Sequence, residues 1–191
     1  MSDQHTNPQT LIWNRRRFLR YSSVAALGSA LGTLAAPAAQ ALAPERRTLR
    51  FVHTHTGEKL VAPYSQGGCY LPECLDRVSH FLRDFRTGES YPIDPGLLDI
   101  LYDLQIQADR EDAFQIISGY RSPATNSNLR SKSKGVAERS LHMQGKALDI
   151  RLTGFSTRKL RDLALSLQRG GVGYYASSDF LHIDTGRVRF W

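Results

Sequence analysis

Two histidines and one aspartate stand out as residues whose types and spacing could do chemistry. The stretch Ser140–Asp149 reads SLHMQGKALD, which sets His142 in a loop and Asp149 on the strand that follows it. Downstream, Phe180–Gly186 reads FLHIDTG, so His182 and Asp184 project from one face of a strand while Leu181 and Ile183 project from the other. A His-Asp-His set offers two borderline nitrogens and one hard oxygen, and three protein ligands leave the fourth tetrahedral position of a zinc ion open for water. That is the form of a catalytic site. A structural zinc would more often have four ligands rich in Cys, and this chain has only Cys69 and Cys74. His53 and His55 also share a strand face, but no third ligand accompanies them, and they are expected to be structural or surface residues.

The elements that must position these groups follow from periodicity and punctuation. Thr48–Thr56 alternates as a strand and turns at Gly57 into a second strand at Lys59–Ala62, an opening hairpin. Apolar residues from Leu71 to Phe85 recur at helical spacing, with Pro72 in the first turn and Gly88 beyond the end. Asp94 caps a second helix with Pro95 at its first position, running to about Ala108. Phe114–Ser118 reads as a buried strand that ends in the SGYRS segment Ser118–Ser122, and Ser122-Pro123 opens a short helix. Lys146–Leu152 alternates again, with Ala147, Asp149 and Arg151 on one face. A helix capped by Ser156 ends at Gly170-Gly171, and a last hairpin pairs Val172–Tyr175 with Phe180–Asp184. No βαβ rhythm and no internal repeat is present. The expected fold is α+β, a single domain of helices packed on one antiparallel sheet that carries the metal site.

The first forty-one residues are expected to lie outside that domain. Asn14–Arg20 reads NRRRFLR, with the arginine pair Arg15-Arg16 ahead of Phe18-Leu19, and an Ala-rich apolar run leads to a small-residue A-Q-A ending at Ala41. This has the pattern of a twin-arginine export signal at 1–41, an address rather than an anchor, with the domain at 42–191. The run is too short and too diluted by Gly, Ser and Thr to favour a spanning helix. The chain carries 25 Lys+Arg against 18 Asp+Glu, a net charge of +7. Without Arg15, Arg16, Arg17, Arg20 and Asp3 the excess is +4, compatible with a polyanionic polymer as partner. Nucleic acid is a poor partner for an exported enzyme, and none is expected. Export would also carry Cys69 and Cys74 into an oxidising compartment, where free thiols and a bridge are both open; a bridge requires Cys69 to precede the helix, and Cys74 is expected in the core.

Ser140, His142, Gly145, Ala147 and Asp149 fill the pattern S-x-H-x-x-G-x-A-x-D, and His182 supplies a second histidine downstream. In this the chain resembles the LAS metallopeptidases, which include zinc D-Ala-D-Ala carboxypeptidases and dipeptidases, L-alanyl-D-glutamate peptidases and the hedgehog signalling domain. More narrowly, residues 45–191 resemble the MepK-type murein endopeptidases in SGYRS, the zinc motif, GVGYY at Gly171–Tyr175 and the HIDTG segment. The resemblance implies a hedgehog/D-Ala-D-Ala-peptidase-like fold, a Zn2+ ion on His142, Asp149 and His182, and hydrolysis of peptide crosslinks in peptidoglycan. It puts Arg121 in the place of a substrate-facing arginine that stabilises the oxyanion. Ser140 is open to two readings, a partner for a substrate carboxylate or amide, or a residue that shapes the loop. For the general base the resemblance indicates Asp179, three residues ahead of His182, where several relatives have Glu; Asp184, on the face of His182, is the second candidate. The expected setting is the periplasm, with membrane contact only during export, peptidoglycan peptides as partners, and a monomer. Two further readings are a non-catalytic zinc module that binds peptidoglycan, as the hedgehog domain illustrates for this fold, and a carboxypeptidase that trims wall peptides.

Overall fold

The computed structural model describes residues 45–133 and 135–191, so the arginine pair and apolar run of the expected export signal lie outside the described residues. Strands β1 (Arg46–His53), β2 (Lys59–Gln66), β3 (Cys69–Tyr70), β4 (Phe114–Ser118), β5 (Ala147–Leu152), β6 (Gly171–Tyr175), β7 (Phe180–Asp184) and β8 (Arg189–Phe190) form one sheet in the order β3-β2-β1-β4-β5-β7-β6-β8. Four helices accompany it: α1 (Pro72–Phe81), α2 (Pro95–Ala108), α3 (Pro123–Lys132) and α4 (Thr157–Leu167). Among the described residues, no helix is long and apolar enough to cross a membrane.

The α+β class holds, but the sheet is mixed rather than antiparallel. β1 pairs with β4 in parallel, and β6 pairs with β8 in parallel. The first arises because α1 and α2 intervene between the opening hairpin and β4, and a helical crossover returns the chain in its starting direction. The central β4-β5-β7-β6 ribbon, which carries Asp149 and His182, is antiparallel throughout.

Alternation divides the sheet into a core face and a site face. Leu49, Phe51, Leu148, Ile150, Leu181 and Ile183 point into a core completed by Val78 of α1, by Leu97, Leu98, Leu101 and Leu104 of α2, and by Leu160 and Ala164 of α4. Each of these side chains larger than alanine, fully buried, stabilises the fold by about 1.5–3 kcal/mol before entropy is counted. On the other face, register sets two rows across the strands. One runs Asp149, His182, Gly173; the next runs Ala147, Asp184, Gly171, Arg189. The small residues in these rows leave room above the sheet for the large polar ones.

Local chemistry explains the element ends. Asp94 accepts from the Gly96 amide at 2.9 Å, with Pro95 in the first turn of α2, and Ser122 and Ser156 cap α3 and α4 in the same way. Helix α1 stops at Phe81, short of the expected Phe85, because the Leu82 carbonyl is taken by the Tyr120 amide at 2.7 Å and Phe85 leaves the helix to stack on His55. Helix α4 ends at Gln168 in the left-handed region, and Gly171 belongs to β6 rather than to a helix stop. Cys69 lies exposed on β3 and Cys74 is buried in α1, both as free thiols. His53 is buried, and its Nδ1 accepts from the amides of His55 and Thr56, so this histidine organises the turn after β1.

Candidate metal centre and active site

The short 3-10 turn Leu141–Gln144 and strands β5 and β7 deliver His142, Asp149 and His182 to one point. Gly145 makes the turn possible: its φ is +64°, and a Cβ there would meet the Pro92 carbonyl oxygen at 2.1 Å. Its own carbonyl accepts from the amide of Asp94, which ties the turn to the start of α2. Asp149 and His182 are direct cross-strand partners.

The hydrogen bonds at the outer edge of the cluster fix both tautomers. His142 Nδ1 lies 2.8 Å from the Gly119 carbonyl, which can only accept, so Nδ1 carries the proton and Nε2 presents a lone pair. His182 Nε2 lies 3.0 Å from the Asp184 carboxylate and donates to it, leaving the Nδ1 lone pair free. Those two nitrogens are 3.2 Å apart, and Asp149 Oδ1 lies 2.9 Å from one and 3.3 Å from the other. Three electron-pair donors in such contact repel unless a cation sits among them. A tetrahedral zinc with bonds of about 2.0 Å separates its ligand atoms by about 3.3 Å, so the cluster fits the ion.

Charge is arranged to match. Burial alone would raise the Asp149 pKa, but hydrogen bonds and charge from the two imidazoles when protonated outweigh it and hold the carboxyl well below its ordinary range, and a cation among the three groups acts in the same sense. Burial opposes charge on His182, yet Asp149 and Asp184 more than offset it and raise its pKa.

A cleft opens over the cluster, with a volume of about 490 Å³ and walls that include Arg121, Arg139, Ser140, Tyr175 and Trp191. The SGYRS segment places Arg121 by a chain of backbone bonds: the Arg121 amide donates to His142 O, and the buried Asp84 carboxylate accepts from the Ser122 amide at 2.9 Å and from Arg86 N at 3.0 Å. The guanidinium reaches within 3.7 Å of Asp149 and makes only long contacts to Asn126 and Ser118, at 3.4 and 3.5 Å. Its Nε is buried and has no acceptor among the described residues, while the side chain as a whole lines the cleft. Ser140 is buried, makes no side-chain cap to its turn, and lines the cleft.

A family model described as "Peptidoglycan L,D-endopeptidase MepK" matches residues 41–191. The Peptidoglycan L,D-endopeptidase MepK of Escherichia coli (strain K12) is 45% identical over 179 residues, covering 93% of this chain and 97% of that protein. The chain belongs to the MepK family. The protein of the same name from Shigella flexneri matches to the same extent, and the "Probable peptidoglycan L,D-endopeptidase MepK" of Haemophilus influenzae is 38% identical over 182 residues, 93% of this chain and 95% of its own.

Of the two candidate bases in this MepK-family chain, neither carboxylate lines the cleft. Asp179 sits in the turn before β7 with φ +49°, largely exposed, and its side chain leans toward Arg151, Nε to Oδ2 at 3.7 Å. Asp184 lies behind His182, fully buried, and both its oxygens are engaged: Oδ1 accepts from the amides of Gly171 and Gly186, and Arg189 grips both oxygens at 3.0 and 2.6 Å. A carboxylate so held is suited to orient His182 rather than to move protons in the cleft.

Reading the sequence missed Arg189 and Trp191. RVRFW gives only a weak signal, and it is the pairing of the two-residue strand β8 with β6 that sets both on one face beside Gly171 and Gly173. Exchanging Asp184 for Asn is expected to weaken zinc binding by about 10–100-fold, the usual cost of losing a group that orients a ligand, as read by competition with a chromophoric chelator. The wild-type Asp184 pKa is depressed, since Arg189, the amides and His182 overcome burial. Its contribution to stability is therefore present at neutral pH and lost as the pH falls through the depressed native value. The stability gap between wild type and Asp184→Asn in urea should accordingly close only in strong acid.

Proposed function

We propose that this chain is a zinc-dependent peptidoglycan endopeptidase that hydrolyses peptide crosslinks of the bacterial wall, at bonds of the L,D type for which its relatives are named. The observation that carries the metal reading is the convergence of the His142, Asp149 and His182 lone pairs beneath a cleft that also holds Arg121. We read the fold as that of D-Ala-D-Ala peptidases and hedgehog domains, and residues 1–41 as a twin-arginine signal that delivers a folded, monomeric enzyme to the periplasm.

Zinc bound there supplies Lewis acidity and lowers the pKa of coordinated water toward about 7. The chain does the rest. The Gly119 carbonyl and Asp184 keep the two imidazoles in the ligating tautomer. Arg121 donates from a fixed planar fork to the scissile carbonyl oxygen and stabilises the negative charge that develops on it. Ser140 holds a neighbouring polar group of the substrate. Asp179 takes a proton from the attacking water and returns it to the leaving amine, once its side chain rotates away from Arg151 toward the cleft. Asp184 is assigned to orientation of His182 and Arg189 to the support of Asp184.

Asp179→Ala is expected to keep stoichiometric zinc and lose about 10²–10⁴-fold in turnover, the range for a missing general acid-base group. Unchanged turnover would favour the second reading of this position, suggested by the Asp179–Arg151 pair, in which the turn is structural and the base lies elsewhere. The reading as a whole is tested by digesting intact sacculi with and without a zinc chelator and identifying the fragments by mass. Chelator-sensitive conversion of crosslinked dimers to monomers supports it, and fragments from glycan cleavage or no release would refute it.

A further inference from the structure

Strand β8 brings Arg189 to the support of Asp184, and Trp191 follows it onto the same face of the sheet. The indole packs beside a metal ligand: its centroid lies 5.3 Å from the His182 ring. It also rests on Gly173, where a Cβ would come within 2.5 Å of the ring. Four contacts hold it. The Trp191 amide donates to Val172 O at 3.2 Å, its carbonyl accepts from Tyr174 N at 3.0 Å, Nε1 donates to the Tyr175 hydroxyl at 3.0 Å, and the Arg189 guanidinium lies 5.0 Å from the ring centroid. Despite this anchoring the residue remains 50% exposed, and it lines the cleft that holds Arg121 and Ser140. Tyr175 and Phe180, stacked at 4.5 Å, continue the same aromatic wall.

A ring kept only to shield His182 would be buried on both faces. One held rigidly, with its polar N–H already satisfied and an apolar surface left open to a cleft, is pre-organised to receive a ligand at small entropic cost. We propose that Trp191 is a substrate-positioning residue, the platform on which an aliphatic side-chain stem of the wall peptide packs beside the scissile amide. The inference rests on the reading of the cleft as the peptide site. With Arg121 as the fixed donor on the carbonyl, an apolar contact on Trp191 gives the substrate a second point of attachment and so defines its direction across the metal. Covering about 50 Å² of apolar surface is worth roughly tenfold in binding.

Trp191 can be observed directly, because the chain has only one other tryptophan, Trp13. In full-length Trp13→Phe protein stripped of metal, where turnover is halted, titration with a crosslinked muropeptide dimer should produce a saturable change in emission excited at 295 nm. In zinc-loaded protein, Trp191→Ala should raise KM about tenfold with kcat within about threefold and zinc stoichiometry retained, and Trp191→Phe should recover most of the loss. Gly173→Ala, which displaces the indole without removing it, should raise KM in the same direction and serves if Trp191→Ala does not fold. An unchanged KM in these variants, or no emission response across the concentration range of the wild-type KM, overturns the proposal; so does a joint loss of zinc and kcat, which assigns Trp191 a structural role. A Trp13→Phe protein that gives the emission response when stripped of metal yet cuts nothing when loaded with zinc refutes the peptidase reading and leaves the platform supported.

Discussion

His142→Ala is expected to lose stoichiometric zinc and, with it, several orders of magnitude of hydrolysis. The residue is 3% exposed and offers Nε2 to the cluster while Nδ1 holds the Gly119 carbonyl. Alanine removes one of three protein ligands, too few remaining to hold a tetrahedral ion tightly, and leaves a buried carbonyl unpaired at a cost of about 1–3 kcal/mol. The same carbonyl belongs to the SGYRS segment, so Arg121 should loosen at the same time. Metal analysis of the purified variant, with circular dichroism to establish folding, checks this outcome. A folded variant that retains one zinc per chain would show that the ligand set is wrong.

Arg121→Lys should lower kcat by about 10²–10³-fold although the charge is kept. The guanidinium spans Asn126, Ser118 and Asp149 at once, and a single ammonium cannot hold that position and still present paired donors to a carbonyl. Because the stabilised charge exists only in the transition state, kcat and kcat/KM should fall together while KM stays near its wild-type value. Burial already works against the Arg121 charge and lowers its pKa, and a lysine in its place, with a lower intrinsic pKa, is more readily neutralised there. Kinetics on a purified crosslinked muropeptide separate the cases: a rise in KM with unchanged kcat would make Arg121 a binding residue rather than a stabiliser of the oxyanion.

What the sequence disclosed, and what it withheld, follows from how local each determinant is. Alternation on β5 and β7 put Asp149 and His182 on faces that could meet, and the cap at Asp94-Pro95 located the start of α2. These depend on residues a few places apart. The parallel β1-β4 pairing does not, since it depends on how α1 and α2 lie across the sheet. Sequence spacing likewise gave Asp184 as a neighbour of His182 but not the Arg189 grip that commits both its oxygens. The orientation of Asp179 toward Arg151 was invisible for the same reason, as the partner lies on another strand. Trp191 reaches the cleft only because β8 adds to the far side of β6, a pairing of two residues with little signal of its own. Sequence reading left open which bond is cut, and the L,D specificity comes from the relatives alone.

We expect His142, Asp149 and His182 to hold a catalytic zinc with one position open to the cleft. Anomalous diffraction at the zinc edge from crystals of the zinc-loaded protein tests it most directly. A single strong peak is expected within about 2.0–2.2 Å of His142 Nε2, an Asp149 carboxylate oxygen and His182 Nδ1, with its remaining ligand a solvent molecule facing Arg121. A peak at another site, or a fourth protein side chain closing the coordination, would contradict it.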